Sequence, residues 1–111
     1  LDVAHLAIYQ RTMGYQPLDG LDHLPLDRVI EVHVAGAREI EVQGLPMVVD
    51  DHTPNILPDT WSILDTLAPR AQALRAVVFE CERNPLEACI DAFSELQSHL
   101  VGTPFLSGIT T

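Results

Sequence analysis

The sequence predicts an α/β protein of parallel strands joined by crossover helices, and three observations lead there. Strand-like and helix-like segments follow one another along the chain, the strand-like ones are apolar and β-branched, and the helical ones carry apolar stripes fit to lie on a sheet. With 111 residues, 47% of them apolar and 20% charged, the chain has the make-up of one globular domain with a modest core. A closed eight-stranded barrel of the TIM type, (β/α)8, takes about 250 residues. The four parallel strands expected here make half of one, a single partial barrel domain over residues 1–111 with two open sheet edges.

The elements follow in order. "LDVAHLAIY" (1–9) reads as the first strand; it starts without a methionine and in mid-element, as a piece of a longer protein would. Residues 16–24 offer a short helix or turn. "RVIEVHVAG" (28–36) is the second strand, and "LPMVVDDH" (45–52) the third. Between them "REIEVQG" (38–44) alternates acid and apolar residues, as the arm of a small hairpin would. "PDTWSILDTLA" (58–68) spaces Leu57, Trp61, Leu64 and Leu67 for a helix that Pro69 closes. "RAVVFECE" (75–82) is the fourth strand. "NPLEACIDAFSELQSHLVG" (84–102) predicts a helix capped by Asn84, with Pro85 at its first position, Glu87 three residues past the cap and Gly102 at its end. Its expected apolar stripe is Leu86, Cys89, Ile90, Phe93, Leu96 and Leu100.

Composition narrows the function. Acids outnumber bases 16 to 6 for a formal charge of −10, and every base is an arginine, so no lysine-rich patch exists to hold a phosphate backbone and nucleic acid is not an expected partner. No apolar run approaches the length of about 18 residues that crosses a bilayer, and no basic leader precedes one, so a cytoplasmic protein without a membrane span is expected. Cys81 and Cys89 match neither a C-x-x-C site nor a disulfide-dense scaffold. They are expected as reduced packing residues, Cys89 on the helix stripe and Cys81 beside Phe79. His23 and His99 are expected at the surface, and Trp61 as a helix-to-sheet anchor.

The chemistry is expected where strands end. Residues two apart on a strand share a face, which puts Glu31 with His33, Asp50 with His52, and Glu80 with Glu82, each opposite an apolar face. Parallel α/β folds build their sites at the C-terminal ends of strands. Gathering such acids away from water without compensation costs several kcal/mol per ion. The six arginines fall mostly at strand starts and in loops, so the expected compensation is a divalent metal. Oxygen and imidazole donors without thiolate favour iron or manganese over structural zinc. His5 joins the set if its strand turns it inward; Asp2, on the opposite parity, is not assigned with it. The plainer alternative for each residue is a hydrogen-bonded core histidine or an acid capping the next helix.

The runs "LPLDRVIEVHVAGA", "VVDDHTPNILPDTWSIL" and "AVVFECERNPL" resemble the MbnB/TglH-like multinuclear non-haem iron oxygenase family, over about residues 1–97 and in its C-terminal half. By position, the resemblance implies metal-ligand roles for His33, Asp50, His52 and Glu80, with His5 as a fifth. Ala4 and His5 stand where the family motif has two asparagines, and Ala37 where it has a second histidine. The resemblance further implies two or three iron ions, with manganese or zinc as alternatives. It also implies a peptide substrate oxidised at a cysteine, a partner protein that presents the peptide, and an N-terminal half-barrel or self-association to complete the site. The chain alone is then expected to be inactive. Two other readings are a non-catalytic half-barrel scaffold or peptide-binding module that associates with another chain, and a metal-dependent sugar isomerase or phosphodiester nuclease, which the lack of lysine disfavours.

Overall fold

A computed structural model describes residues 1–107. In chain order its elements are helix α1 (Val3–Thr12), two 3-10 turns (Leu21–His23 and Leu26–Arg28), strands β1 (Glu31–Ala35), β2 (Arg38–Val42) and β3 (Leu45–Val49), helix α2 (Pro58–Leu67), strand β4 (Ala76–Glu80), helix α3 (Leu86–Leu100) and a last helical turn, α4 (Pro104–Ser107). The protein is mixed α/β, with a small parallel sheet and helices.

β1 and β4 pair in parallel, from Glu31 opposite Ala76 to Ala35 opposite Glu80, and α2 lies on the crossover between them. On the other edge of β1 the chain start adds a parallel bridge between Asp2 and His33. There the Leu1 amino group donates to the Glu31 carbonyl at 2.9 Å and the His33 N–H donates to the Leu1 carbonyl at 2.9 Å. Val32 and Val34, on the face away from Glu31 and His33, are wholly buried. They pack with Val3 and Ala7 of α1, Ile63, Leu64 and Leu67 of α2, and Leu96 and Leu100 of α3 in one core.

Two of the four expected parallel strands are absent from that sheet. Residues 1–9 are strand only at their start; from Val3 they form α1. Asp2 is the reason: its carboxylate accepts from the His5 N–H at 2.9 Å and caps the helix, and Val3, Ala7 and Gln10 are then buried at a helical spacing. Residues 45–49 are a strand, but β3 pairs antiparallel with β2. The hairpin is closed by Gln43 and Gly44 at φ +51° and +79°, the two positive dihedrals of a type I′ turn. The hairpin arm expected at 38–44 is thus present, with the expected third barrel strand as its other half.

α2 has the expected position. α3 runs along the expected segment but buries Ala92, Leu96 and Leu100, while Leu86, Ile90 and Phe93 are exposed, so only the C-terminal part of the stripe reaches the core. Asn84 does not cap α3; the cap position is Pro85, with no side-chain cap bond. Cys81 and Cys89 are joined in a disulfide, with Cα atoms 6.3 Å apart. They are therefore not free thiols: the first residue after β4 and a residue in the first turns of α3 come within bridging range. His99, expected at the surface, is half-buried. Its ring stacks on Trp61 with centroids 3.9 Å apart and bonds Asp65 at 2.7 Å, clasping α3 to α2. His23 is exposed, as expected. Among the described residues no helix is long and apolar enough to cross a membrane.

Candidate metal centre

Side chains gather at the C-terminal ends of β1 and β4. Because the register sets His33 opposite Val78, Glu80 lies one same-face step further along and reaches back diagonally. The His33 Nδ1 is 3.4 Å from Glu80 Oε1, and its Nε2 is 3.4 Å from Glu31 Oε1. Asp2, next to His33 on the other edge, completes a trio: Asp2, His33 and Glu80 each offer a ligand atom within 4.8 Å of the other two.

Glu80 also belongs to a second trio, with His52 and Glu82, on the same criterion of 4.8 Å. Here the other two donors come from loops. β3 ends at Val49, and Asp50, Asp51 and His52 lie beyond it, so the expected strand end is an irregular loop. His52 has φ +55°, a left-handed backbone that costs a non-glycine residue about 1–2 kcal/mol. Three contacts hold it there. The His52 Nδ1 bonds Glu82 Oε1 at 2.7 Å, its carbonyl accepts from the Asn84 side chain at 2.8 Å, and the following residues pack on Gly36. A Cβ on Gly36 would stand 2.0 Å from the Thr53 carbonyl oxygen and 2.5 Å from that of Asn55, so only glycine lets the loop approach the end of β1.

Asp50 lies beside both groups, with Oδ1 3.4 Å from His52 Nε2 and Oδ2 2.6 Å from His5 Nε2. Asp51 points the other way and pairs with Arg38 at the start of β2. The "DDH" run therefore divides its work: Asp50 and His52 turn to the cluster, and Asp51 ties the hairpin to the loop.

The charge at this end is unbalanced. Among the described residues no arginine makes a salt bridge to Asp2, Glu31, Asp50, Glu80 or Glu82; Arg11 pairs with Glu39 and Asp59, Arg38 with Asp51, and Arg70 with Asp22. The histidines are the nearest partners of these carboxylates, and the charge of Arg83 also acts on Glu82. The hydrogen bond to Glu82 raises the His52 pKa, against the opposing effect of burial, and the charges of Glu82, Asp50 and Glu80 add to the rise. The same bond lowers the Glu82 pKa.

The donors suit a metal. Bonds of about 2.1 Å put two donors on one small divalent ion no more than about 4.2 Å apart, so side-chain shifts of under about 1 Å would bring either trio onto an ion. Carboxylate and imidazole with no available thiolate, Cys81 being bonded to Cys89, is a donor set that suits a divalent first-row metal.

Of the residues expected as ligands, His33 and Glu80 meet in the first trio and His52 and Glu80 in the second; Asp50 stands between His52 and His5. His5 arrives from α1, half exposed, with Nδ1 also 3.3 Å from Asp2. Two members were not among the expected ligands. Strand parity separates Asp2 from His5, and that parity does not apply once the chain turns helical at Val3. Glu82 shares the acidic face of the fourth predicted strand with Glu80. The signal for Asp2 was present: an acid three residues before His5, ahead of "VAHLA", is a helix N-cap pattern.

Carboxylates and imidazoles grouped around the ends of a small parallel sheet are residues that could hold a metal ion. The comparisons give the chain's family: the model of the RiPP precursor modification enzyme MbnB/TglH/ChrH matches residues 1–99, and the chain belongs to this family. It is 26% identical over 78 residues to a UPF0276 protein of Caulobacter vibrioides, covering 70% of this chain and 26% of that protein. It is 33% identical over 63 residues to a UPF0276 protein of Acaryochloris marina, covering 57% of this chain and 21% of that one. To one of Nitrosospira multiformis it is 32% identical over 65 residues, 59% of this chain and 22% of the other. The match thus spans about a quarter of the length of these relatives. No solved structure matches the chain.

Proposed function

We propose that the chain is the metal-holding C-terminal portion of a TIM-type barrel enzyme that uses iron to oxidise a cysteine in a peptide substrate. The observation that carries this reading is Glu80, a single carboxylate common to two oxygen-and-nitrogen donor trios, as a residue bridging neighbouring ions would be. Family membership over residues 1–99 supports the chemistry. In this reading Asp2, His33 and Glu80 hold one ion, His52, Glu80 and Glu82 a neighbouring one, and Asp50 and His5 stand ready at their margin. Iron bound there would supply the activation of dioxygen toward the substrate thiol. The chain's own part is to hold its carboxylates close together, and to keep imidazoles aimed by their carboxylate partners. The remaining donors would come from an N-terminal half-barrel, and the peptide from a partner protein that presents it.

The test is metal analysis of the longest natural form, purified without oxygen. Two or three irons per chain, lost together on Glu80→Gln, are the expected result; a folded protein with no bound iron, manganese or zinc would overturn the reading. A second reading has one observation in its favour. Ala4 and Ala37, at positions where the family motif carries donors, are 1% and 5% exposed and packed into the apolar interior. That suits a half-barrel scaffold or peptide-binding module that binds no metal, and the same analysis separates the two.

A further inference from the structure

The metal-centre reading leaves Asn84 without a role, and the helix it was expected to cap does not use it. Asn84 is half-buried, and its Nδ2 faces three backbone carbonyls: His52 at 2.8 Å, Cys81 at 2.9 Å and Glu82 at 3.1 Å. Three carbonyls around one atom require the amide nitrogen there, because an oxygen would face only acceptors. Cys81 and Glu82 belong to the segment that carries Glu80 and Glu82. His52 belongs to a loop 32 positions away in sequence, and it holds the left-handed backbone described above. One carboxamide thus ties together the two loops that supply the second trio.

We infer that Asn84 is a positioning residue for the second metal site: it touches no ligand atom, but its N–H groups fix the His52 loop against the Glu80–Glu82 segment. This rests on the metal-centre reading and adds to it the group that sets the distance between the two loops. Asparagine is required rather than aspartate, since a carboxylate would meet the three carbonyls with no proton to donate.

The experiment compares the longest natural form of the protein with its Asn84→Asp and Asn84→Ala variants by cobalt(II) titration followed in the visible spectrum, and by amide hydrogen exchange. The expected result is a loss of about tenfold or more in affinity at one of two sites, as for other groups that orient ligands. Faster exchange confined to residues 52–55 and 81–84, with α2 unchanged, should accompany it. Wild-type affinity in both variants would overturn the inference and leave the metal-centre reading standing. Equal loss at both sites with faster exchange throughout would also overturn it, by showing a general structural role. If the wild-type protein in its longest natural form binds no cobalt, the metal-centre reading fails and the inference with it.

Discussion

The two donor trios share Glu80 and differ in what holds the rest. Asp2 and His33 are fixed by sheet pairing: a parallel bridge joins them, and the β1–β4 register sets His33 against Val78. His52 and Glu82 are fixed by a loop residue with a positive φ, by an asparagine and by a glycine that admits the loop. The first trio is a product of the frame, and the second of contacts made one at a time between loops. Sites on regular elements keep their geometry more tightly than sites on loops, so the second should be the easier to lose.

Glu80 gives the largest effect, because it is the one residue whose loss touches both trios. Glu80→Gln keeps the side-chain volume and removes the charge. Metal affinity is expected to fall by about a hundredfold or more at both sites together, measured by calorimetry with manganese(II). If one site bound as before, the two trios would not share this carboxylate.

Gly36→Ala should separate them. The added Cβ meets backbone oxygens of Thr53 and Asn55, which cannot rotate aside, so the loop must retreat at a cost of about 1–3 kcal/mol, typical of overpacking. Binding at the His52 trio should be lost, while His33 and its partners keep theirs. Chemical denaturation gives the stability cost and metal titration the selectivity. Loss of both sites at unchanged stability would argue that the trios are not independently supported.

Asp2→Asn works on the other trio. Asparagine caps a helix about as well as aspartate, so α1 should persist with little change in circular dichroism, while the Asp2–His33–Glu80 site loses an anionic ligand and its affinity falls about tenfold. Asp2→Ala would add the loss of the cap, about 1 kcal/mol. A fall in stability with Asp2→Asn as large as with Asp2→Ala would show that the charge, rather than the hydrogen bond, holds the helix.

The same contrast explains what could be read in the sequence. Alternation along β1 and β4 was enough to put His33 and Glu80 on one face opposite the buried Val32 and Val34, because period two is a local property. Asp2 was missed since Val3, Ile8 and Tyr9 have the texture of a strand, and the helix they form depends on a cap and on a core that local pattern does not reveal. Parity puts His52 at the end of a strand that it does not occupy, since β3 ends at Val49 and His52 approaches Glu82 from the loop beyond it. The role of Gly36 and of Asn84 depends on which loops meet, and nothing local to "AGA" or "RNP" states that.

The smallest expected effect concerns the His52–Glu82 pair in the metal-free chain. The His52 pKa lies above its ordinary 6.5 chiefly through the Glu82 hydrogen bond, so its share of stability is complete below 6.5 and is lost as pH rises through the raised value. The Glu82 pKa lies below its ordinary 4.5 through the same bond, so its share is present above 4.5 and is lost as pH falls through the lowered value. Both conditions hold between 4.5 and 6.5, and there the loop should be most firmly held. Proton NMR of the His52 ring should give a midpoint above 6.5 in the wild type, falling in Glu82→Gln. The His33 trio, whose carboxylates this substitution does not touch, should be unaffected. A His52 midpoint unchanged by the substitution would mean that Glu82 does not hold the ring, and the second trio would lose the contact that aims its histidine.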